Sequence, residues 1–581
     1  MDKLNDIIFK LNTIIISALD KNSNIYNELV HENENLSSCV RNDLADSYKN
    51  ILNGGTFQVP EPEEPSLAMA VLYLQEKRLP FAFYEFVRLS KQNPNDLRYI
   101  KGAARCLERM KSYKVLLKHF MPIFTKYLDT DLEMLELAAV TYFGLPEFYE
   151  KSISLYEKLL KVHKKTKFDY NIRLSLLYER VYQDKKLKTQ IKYALNALKM
   201  NEKSNIANSF LAKLYYRAGM ISECEKYFNQ VLSNNPTADE MVSYSRYLMK
   251  EGRIKEGYDR YRIRFDTGRI TYPKPLTNDK RWDGVKDISN ATVIVHYEQG
   301  FGDSIMFSRY IPLLSTMAKK IIFVVQKNLI PIFKSSGYEN YCTLLSHEAD
   351  VNPDIKLNCI NQSVMYSKGE GMGKIPHDYH IPLMDLPYLI NESPARMTEA
   401  GGYLIADNIK IEEFREKYIH KNDKLKIGIA FHGTKQSKVT YRDIPVTKFL
   451  PLFNMKGVEF YSFQADEYMN ELEELPSELK IYNLGKEFKD FEDTACALNC
   501  MDLLISTDNV VMNLAGAMGI KTYCLFNVFT ESRWYKTTGE NIGWYKSVKP
   551  FKAKTFNDWD NLILKVKKQM SKDFSILKNY R

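Results

Sequence analysis

A recurring helical pattern between Ser66 and Phe265 constrains the fold of this 581-residue chain more than any other feature of its sequence. Short amphipathic stretches come in pairs, and successive pairs begin 30 to 38 residues apart. The predicted first helices begin near Ser66, Asp96, Asp131, Asp169, Asn205 and Ala238. A period of this length indicates helix-turn-helix units that stack on one another, because a single unit cannot bury its apolar face alone.

The clearest unit is "NIANSFLAKLYYRAGMISECEKYFNQVLSNNP", from Asn205 to Pro236. One face of its first helix carries Ala207, Leu211, Leu214 and Tyr215, and Gly219 supplies the turn. A period of roughly 34 residues is typical of tetratricopeptide repeats. Such stacks form a superhelix whose concave face suits a protein or peptide, so we predict that kind of partner. A rigid spacer or a dimerisation arm is the alternative, and oligomerisation is compatible with either.

The periodicity changes after Arg264, where apolar strands begin to alternate with helices. The predicted strands are "ATVIVHYEQG", "KKIIFVVQ", "YCTLLS" and "DYHIPL" in a first set, then "LKIGIAFHG", "VEFYSFQ", "KIYNLG", "MDLLISTD" and "KTYCLFN" in a second. This alternation favours parallel sheets covered by helices on both faces. We therefore predict an α + α/β protein, in which helical repeats precede two Rossmann-like domains that face each other across a cleft.

These patterns divide the chain into five predicted segments. Residues 1–65 form a helical segment and a linker that contains "PEPEEP", residues 66–265 form the repeats, and residues 266–405 form the first Rossmann-like domain. Residues 406–550 form the second such domain, and residues 551–581 form a bracing helix and a basic tail.

Composition excludes several classes of protein. The net charge is +10, but the lysines and arginines are spread along the chain, so no nucleic-acid surface is predicted. No apolar run approaches the ~20 residues that span a bilayer, and the N-terminus lacks a signal-peptide core, so we predict a cytoplasmic protein. The eight cysteines contain no CxxC pair, which indicates neither a disulfide framework nor a zinc site.

The stretch "EQGFGDS" lies between a predicted strand and a predicted helix. In a doubly wound sheet, ligands bind beyond the carboxyl ends of the strands. Gly300 and Gly302 would permit tight backbone geometry and close approach of a ligand, and Asp303 would face the cleft from the first helical turn. The simpler alternative is that Asp303 only caps the helix, which would stabilise it by about 1 kcal/mol.

A second stretch, "ISTDNVVMNLAGAMG", repeats this arrangement in the second set of strands. Thr507, Asp508 and Asn509 would lie at a helix N-terminus, where backbone N–H groups can bind a diphosphate without a metal. Two such loops across one cleft favour a ligand site over an inert scaffold.

Taken together, these segments resemble bacterial tetratricopeptide-repeat proteins that carry a family 9-like glycosyltransferase domain. That domain is related to the lipopolysaccharide heptosyltransferases and has the two-domain GT-B fold. The resemblance covers about residues 252–548. It is carried, in order, by "EGRIKEGYDRYRIRF", "RWDG", "HYEQGFGDSIMFSRYIPLL", "IGIAFHG", "YRDIP", "FYSFQ", "NLGKEFKDFEDTA", "MDLLISTDNVVMNLAGAMG", "ESRWY" and "WYKSV".

The resemblance implies transfer of a sugar from a nucleotide-sugar, with inversion and without a metal or other cofactor. Asp303 would be the general base, and Arg442 would offset the charge that grows on the leaving diphosphate. Lys435 and Lys438 compete with Arg442 for that role. Asp508 and the N–H groups after it would hold the donor, and Gln464 would read the base or ribose.

The chain departs from the family pattern at two places. Relatives have Asp-Thr or Asp-Ser followed by a histidine four or five residues later, whereas this chain has Asp508-Asn509 and places Asn513 at the histidine position. The usual Trp-Ala-Gly is Phe431-His432-Gly433, so His432 either replaces the missing imidazole or only packs. These changes bear on the identity of the donor.

The leading hypothesis is a cytoplasmic glycosyltransferase whose repeats present a protein acceptor. The alternatives are a non-catalytic adaptor with an inert GT-B half, and an epimerase or hydrolase of similar fold. Two further motifs are interpreted as structural: "HDYH" (His377–His380) as a loop histidine pair rather than a metal site, and "DTD" (Asp129–Asp131) as a helix cap.

Overall fold

The computed structural model describes residues 65–162, 167–268, 277–346, 375–390, 401–433, 442–528, 530–534, 543–555 and 557–574. The predicted N-terminal segment and the end of the basic tail lie outside these ranges. The chain divides into two compact units, residues 1–231 and residues 232–581. We call them the repeat unit and the α/β unit.

The repeat unit consists of antiparallel helix pairs. Its helices are α1 (Leu67–Gln75), α2 (Leu79–Gln92), α3 (Leu97–Arg109), α4 (Tyr113–Val115), α5 (Met121–Phe124), α6 (Leu132–Phe143), α7 (Tyr149–Val162), α8 (Phe168–Tyr182), α9 (Leu187–Met200), α10 (Asn205–Arg217) and α11 (Ile221–Leu232). A π-helical turn, Leu116–Phe120, joins α4 to α5, so these three pieces act as one bent second helix.

Polar caps explain why α1, α3 and α6, the first helices of three pairs, begin where the sequence predicts. Ser66, Asp96 and Asp131 are the N-caps of α1, α3 and α6, and each accepts a hydrogen bond from a backbone N–H of the first turn. Asp131 accepts from Glu133 at 3.0 Å and from Met134 at 3.1 Å. The interpretation of "DTD" as a helix cap is therefore confirmed.

The unit from Asn205 to Pro236 forms as predicted. Helix α10 turns into α11 at Gly219, whose φ of +72° favours glycine. Ala207, Leu211 and Leu214 are buried on one face of α10. The prediction of helical repeats is confirmed.

The α/β unit begins with helices that we predicted as the last repeat, α12 (Ala238–Lys250) and α13 (Ile254–Tyr261). A four-stranded parallel sheet follows, in the order β3-β2-β1-β4. Its strands are β1 (Thr292–His296), β2 (Lys320–Val325), β3 (Thr343–Ser346) and β4 (Tyr379–Pro382). Its helices are α14 (Phe301–Ser308), α15 (Ile311–Ser315), α16 (Ile330–Ser335) and α17 (Leu386–Leu389).

A second parallel sheet has the order β10-β9-β8-β5-β6-β7. Its strands are β5 (Leu425–Ala430), β6 (Val458–Ser462), β7 (Ile481–Asn483), β8 (Leu503–Thr507), β9 (Thr522–Phe526) and β10 (Val548–Lys552). The helices of this half are α18 (Asn408–Tyr418), α19 (Leu450–Phe453), α20 (Phe491–Asn499), α21 (Val510–Ala517) and α22 (Trp559–Asp573). Helical repeats followed by two parallel α/β sheets confirm the predicted fold class.

Strand β10 is the one strand of the described residues that the sequence did not predict. It contains Pro550, which cannot donate a hydrogen bond to a neighbouring strand. The strand tolerates this proline because β10 lies at the edge of the sheet and pairs only with β9. The predicted boundary between residues 550 and 551 falls inside this strand.

The second sheet is buried on both faces, because alternate residues of its central strands enter different apolar cores. Ile427 and Ile429 of β5 pack in the core that contains Leu562 and Val566 of α22. Ala430 belongs to the other core, which also includes residues of the first sheet. Helix α22 therefore braces the second sheet. No helix within the described ranges is long and apolar enough to cross a membrane.

The "HDYH" motif does not form a histidine pair of its own. His380 lies in β4, fully buried, and its Nδ1 is 3.4 Å from Nε2 of His296 in β1. His380 Nε2 is 2.9 Å from the carbonyl of Thr277, to which it donates, and His296 Nδ1 is 3.2 Å from the carbonyl of Tyr297. His377 instead contacts the carbonyl of Ile375 at 2.7 Å. The predicted loop pair is therefore wrong, because the second histidine belongs to a buried strand.

Because His296 and His380 are buried, we predict that the fold loses stability in acid. Burial lowers the pKa of His296 to about 3 and that of His380 to about 4, against about 6.5 for an exposed imidazole. Above pH 6.5 both rings are neutral in the folded and unfolded chain alike. Below it the unfolded chain binds protons that the fold excludes, so the free energy of unfolding falls by up to about 1.4 kcal/mol per pH unit for each ring.

Chemical denaturation at pH 7.5 and pH 5 measures this loss. The double variant His296→Gln, His380→Gln should lose much less stability between the two pH values than the wild type. An equal loss in both proteins would show that other groups cause the acid sensitivity.

Candidate active site

A cleft of about 460 Å³ lies in the α/β unit at the carboxyl ends of the strands of both sheets. That volume is in the usual range of small-molecule sites. The loops after β1, β5, β6 and β8 line it, as a doubly wound sheet requires. The predicted residues that line it are Gly300, Gly302, Asp303, His432, Gly433, Arg442, Gln464, Asp508, Asn509 and Asn513.

Asp303 reaches the cleft from the first turn of α14. It is buried, and it is not the helix cap, because Gly300 occupies the N-cap position. The simpler alternative, that Asp303 only caps the helix, is therefore wrong. Its carboxylate forms an ion pair with the guanidinium of Arg533 from the second half of the unit.

Gly300 and Gly302 have different reasons to be glycine. Neither has a positive φ, so the predicted tight backbone geometry is not what requires them. A Cβ on Gly302 would lie 3.0 Å from Nδ2 of Asn513, so the missing side chain lets α14 approach α21. A Cβ on Gly300 would meet only the carboxylate of Asp303, at 3.8 Å, which leaves room for a ligand over this backbone.

Asp508 follows β8 and enters the cleft from the second sheet. Its Oδ2 accepts a hydrogen bond of 2.7 Å from the indole nitrogen of Trp534. Burial raises the pKa of Asp508 to about 6, although the positive charge of Arg442 and the Trp534 hydrogen bond both oppose the rise. An acid that titrates near neutral pH in a cleft is a candidate functional group.

The polar residues around Asp508 build the N-terminus of α21. Asn509 is the N-cap: its Oδ1 accepts from the N–H of Met512 at 3.1 Å, and its Nδ2 donates to the carbonyl of His432 at 3.2 Å. Thr507 is fully buried behind it and does not line the cleft. This capped terminus leaves backbone N–H groups of the first turn directed at the cleft.

Asn513 has protein partners at both ends of its amide. Nδ2 donates to the carbonyl of Asn509 at 2.8 Å, and Oδ1 accepts from the hydroxyl of Tyr545 at 3.0 Å. The residue at the family's histidine position therefore fixes α21 rather than offering a charge to a ligand.

Arg442 lies beside the loop after β5. A Cβ on Gly433 would be only 3.2 Å from Nε of Arg442, so glycine lets the guanidinium stand close to this backbone. The backbone N–H of Gly433 donates to Asp443 at 3.1 Å and fixes the loop. Lys435 and Lys438 lie outside the described residues.

Gln464 and His432 support the site from within the protein. Gln464 Oε1 accepts from the N–H of His432 at 3.2 Å, and its Nε2 donates to Asp466 at 2.8 Å. The amide therefore holds the loop after β5, and the contact of Gln464 with a base or ribose stays a prediction. The His432 ring stacks on Tyr468 at 4.0 Å, with Nε2 2.8 Å from Glu471, which favours the packing alternative.

Arg533 lines the cleft, and the sequence analysis assigned no role to it. Arg533 and Trp534 lie in "ESRWY", a segment that carries the family resemblance but was given no site residue. The indole nitrogen of Trp544 donates to the carbonyl of Arg533 at 2.7 Å, and its ring packs against Phe307 of α14.

A buried ionic network holds the backbone from which Asp303 projects. Arg264 contacts both oxygens of Glu298 at 2.6 Å and Asp385 at 2.8 Å. Arg281 reaches the other oxygen of Asp385 at 2.6 Å. Glu298 lies in the loop that leads from β1 to α14, so this network fixes the start of the helix. In the part of the chain that the structure describes, no group of three or more potential ligands is arranged to hold a metal.

No protein family model matches the chain. A curated relative is Protein FlbA of Caulobacter vibrioides (strain ATCC 19089 / CIP 103742 / CB 15), which is 21% identical over 355 residues. The match covers 58% of this chain and 56% of FlbA, so the chain spans about half the length of this relative.

Solved structures similar to the chain include both kinds of protein that its motifs resemble. One is the glycosyl transferase family 9 structure from Veillonella parvula DSM 2008, with 12% identity, a TM-score of 0.35, and coverage of 50% of this chain and 99% of that one. Another is a thermophilic TPR protein of Thermus thermophilus, with 18% identity, a TM-score of 0.26, and coverage of 32% of this chain and 97% of that one.

Asp508 is predicted to lower the stability of the fold at neutral pH. Its pKa is about 6 in the folded chain against about 3.8 in the unfolded chain, so the fold loses stability as the pH rises through this window. Asp508→Asn removes the charge and keeps an acceptor for Trp534. It should raise the free energy of unfolding at pH 7.5 by about 1–3 kcal/mol.

Denaturation of this variant and the wild type at pH 7.5 and pH 4 measures the effect. The gain should disappear at pH 4, where the wild-type carboxyl is protonated as well. A variant that is no more stable than the wild type at pH 7.5 would contradict the raised pKa.

Proposed function

We propose that the protein is a glycosyltransferase that moves a sugar from a nucleotide-sugar to an acceptor hydroxyl. One observation carries the proposal. Asp303 of the first sheet and Asp508 of the second line the same cleft, together with Arg442 and the capped N-terminus of α21. A base on one side and a diphosphate site on the other are what this reaction needs.

The reaction assigns a separate role to each side of the cleft. The acceptor oxygen attacks the anomeric carbon, and Asp303 takes the hydroxyl proton, which makes the oxygen a better nucleophile. The bond between the anomeric carbon and the phosphate oxygen breaks, and the nucleoside diphosphate leaves with the electron pair. Attack on the face opposite the leaving group inverts the anomeric carbon.

The leaving diphosphate needs positive charge. We assign that charge to Arg442 and to the backbone N–H groups at the start of α21, in a mechanism that uses no metal. The carboxylate of Asp508 would accept hydrogen bonds from hydroxyls of the donor sugar, and its protonated form would donate one. Gln464, Thr507, Asn509 and Asn513 would act indirectly, because they hold the loops from which Arg442 and Asp508 project.

The acceptor is proposed to be a protein or peptide that the repeat unit binds. Tetratricopeptide-like repeats use their concave face for extended peptides. We propose likewise that the protein acts in the cytoplasm of a bacterium.

A thermal-shift screen against UDP, GDP, ADP, CMP and their common sugars, with and without EDTA, tests the proposal. A ligand at a hundred times its dissociation constant adds about 2.7 kcal/mol to stability. We expect one nucleotide family to raise the melting temperature, and EDTA to leave the shift unchanged. No shift with any nucleotide would contradict the proposal and favour the adaptor alternative.

A further inference from the structure

Two adjacent residues contact Asp303 and Asp508, two of the carboxylates that line the cleft. The guanidinium of Arg533 pairs with Asp303 of the first sheet, and the indole of Trp534 donates to Asp508 of the second at 2.7 Å. The sequence separates Arg533 from Asp303 by 230 positions. Arg533 and Trp534 make these contacts from a loop, because residues 530–534 belong to no strand or helix.

The backbone of this loop is anchored, and the Arg533 side chain extends from it into the cleft. The carbonyl of Arg533 accepts from Trp544 at 2.7 Å, and the Trp534 ring packs against Phe526 and Tyr545. The guanidinium lines the cleft with Arg442 and Asp303. A long side chain on a fixed backbone can change its partner without moving the loop.

The ion pair conflicts with the chemistry assigned to Asp303. A carboxylate bound to a guanidinium is a weaker base, because protonation would break the pair. For Asp303 to take a proton from the acceptor, Arg533 must find another anion. The donor diphosphate is the anion that enters this cleft, and guanidinium groups bind phosphate oxygens with paired N–H donors.

We propose that Arg533 is a diphosphate ligand that exchanges Asp303 for the donor phosphates when the donor binds. This inference rests on the proposed function. Donor binding would then release the base, so that Asp303 becomes reactive only when a sugar is present to transfer. Arg533 would act on the base as a positioning residue and on the diphosphate as a direct ligand.

Binding of inorganic pyrophosphate to the full chain tests this exchange, with calorimetry as the measurement. Asp303→Asn frees Arg533 from its partner, so pyrophosphate should bind about tenfold more tightly. Arg533→Met removes the ligand and should weaken binding about tenfold or more, because a charge-assisted hydrogen bond is lost. Arg533→Lys should bind better than Arg533→Met, since lysine keeps the charge.

The double variant separates exchange from simple repulsion between Asp303 and the phosphates. If Asp303 acts through Arg533, the tenfold gain disappears when Asp303→Asn is made in the Arg533→Met protein. If Asp303 only repels the anion, the gain persists and the inference is overturned. Melting curves of each variant establish that it is folded, and Asp303→Asn tests the exchange even if the Arg533 variants do not fold.

Arg442→Met distinguishes this inference from the proposed function. If Arg442→Met weakens pyrophosphate binding while Arg533→Met and Asp303→Asn leave it unchanged, the diphosphate site stands and the exchange is wrong. If the wild type binds neither pyrophosphate nor any nucleotide of the screen, both proposals fail. Loss of binding in both arginine variants, with a gain in Asp303→Asn, supports both.

Discussion

Asp303→Asn should lower the rate of sugar transfer by about 10²–10⁴-fold while leaving the protein able to bind its donor. The asparagine has nearly the same shape but cannot take a proton from the acceptor hydroxyl, and general-base catalysis contributes an effect of this size. Because Asp303 lies in the first turn of α14, whereas Arg442 and α21 belong to the second half of the unit, the proposed diphosphate contacts remain in place.

The measurement is a steady-state assay with the donor class that the nucleotide screen identifies. The loss should fall on kcat, because the base acts in the transition state, and the donor KM should fall rather than rise, because Arg533 is freed to bind the diphosphate. Asp466→Asn is the matched control. Asp466 lines the same cleft, but its carboxylate accepts from Gln464 at 2.8 Å and from the N–H of Tyr468 at 3.2 Å.

The control variant should therefore keep most of the activity. If the Asp303→Asn protein transfers sugar at the wild-type rate, Asp303 is not the general base of the reaction. Hydrolysis of the donor without transfer would instead show that the base selects the acceptor.

The sequence predicted the parts of the fold that depend on local pattern. Strands β1, β2, β5 and β8 have the apolar run of a strand buried on both faces, and the helix starts at Ser66, Asp96 and Asp131 carry capping side chains. Periodicity and capping act over a few residues, so one sequence is enough to detect them. Strand β10 was not predicted, because Pro550 argues against a strand and the sequence does not show that this strand lies at the edge of the sheet, where a proline is tolerated.

The two carboxylates of the proposed reaction were predicted because a strand end marks each of them. Asp303 and Asp508 each follow a strand, and parallel strands bring their carboxyl ends to one edge. Arg533 does not directly follow a strand, and its position beside Asp303 depends on how the two sheets pack. The same holds for the partners of Gln464 and Asn513, whose amides are occupied within the protein. Composition and spacing carry no information about such pairings.

Arg264→Ala should destabilise the α/β unit by about 3–5 kcal/mol. Arg264 and its partner Glu298 are both almost completely buried, and removal of one member of a buried ion pair leaves the other charge without its partner. Asp385 would keep Arg281, but Glu298 would retain only the N–H of Met384 at 3.1 Å. The loss therefore concentrates at Glu298.

Urea denaturation followed by tryptophan fluorescence measures this change. Arg253→Ala is the matched control, because Arg253 pairs with Glu256 on an exposed helix surface at 2.5 Å, where such pairs contribute about 0–1 kcal/mol. A loss at Arg264 no larger than at Arg253 would show that water reaches Glu298 and stabilises its charge.

The Arg264 variant also tests how the site is held. Glu298 lies five residues before Asp303, in the loop that begins α14. If the network fixes that loop, a variant with the charge kept, Arg264→Lys, should fold better than Arg264→Ala. It should nevertheless lose kcat, since lysine cannot reproduce the paired hydrogen bonds to Glu298. Equal activity of Arg264→Lys and the wild type would mean that α14 alone positions the base, and that the network contributes stability without orienting the cleft.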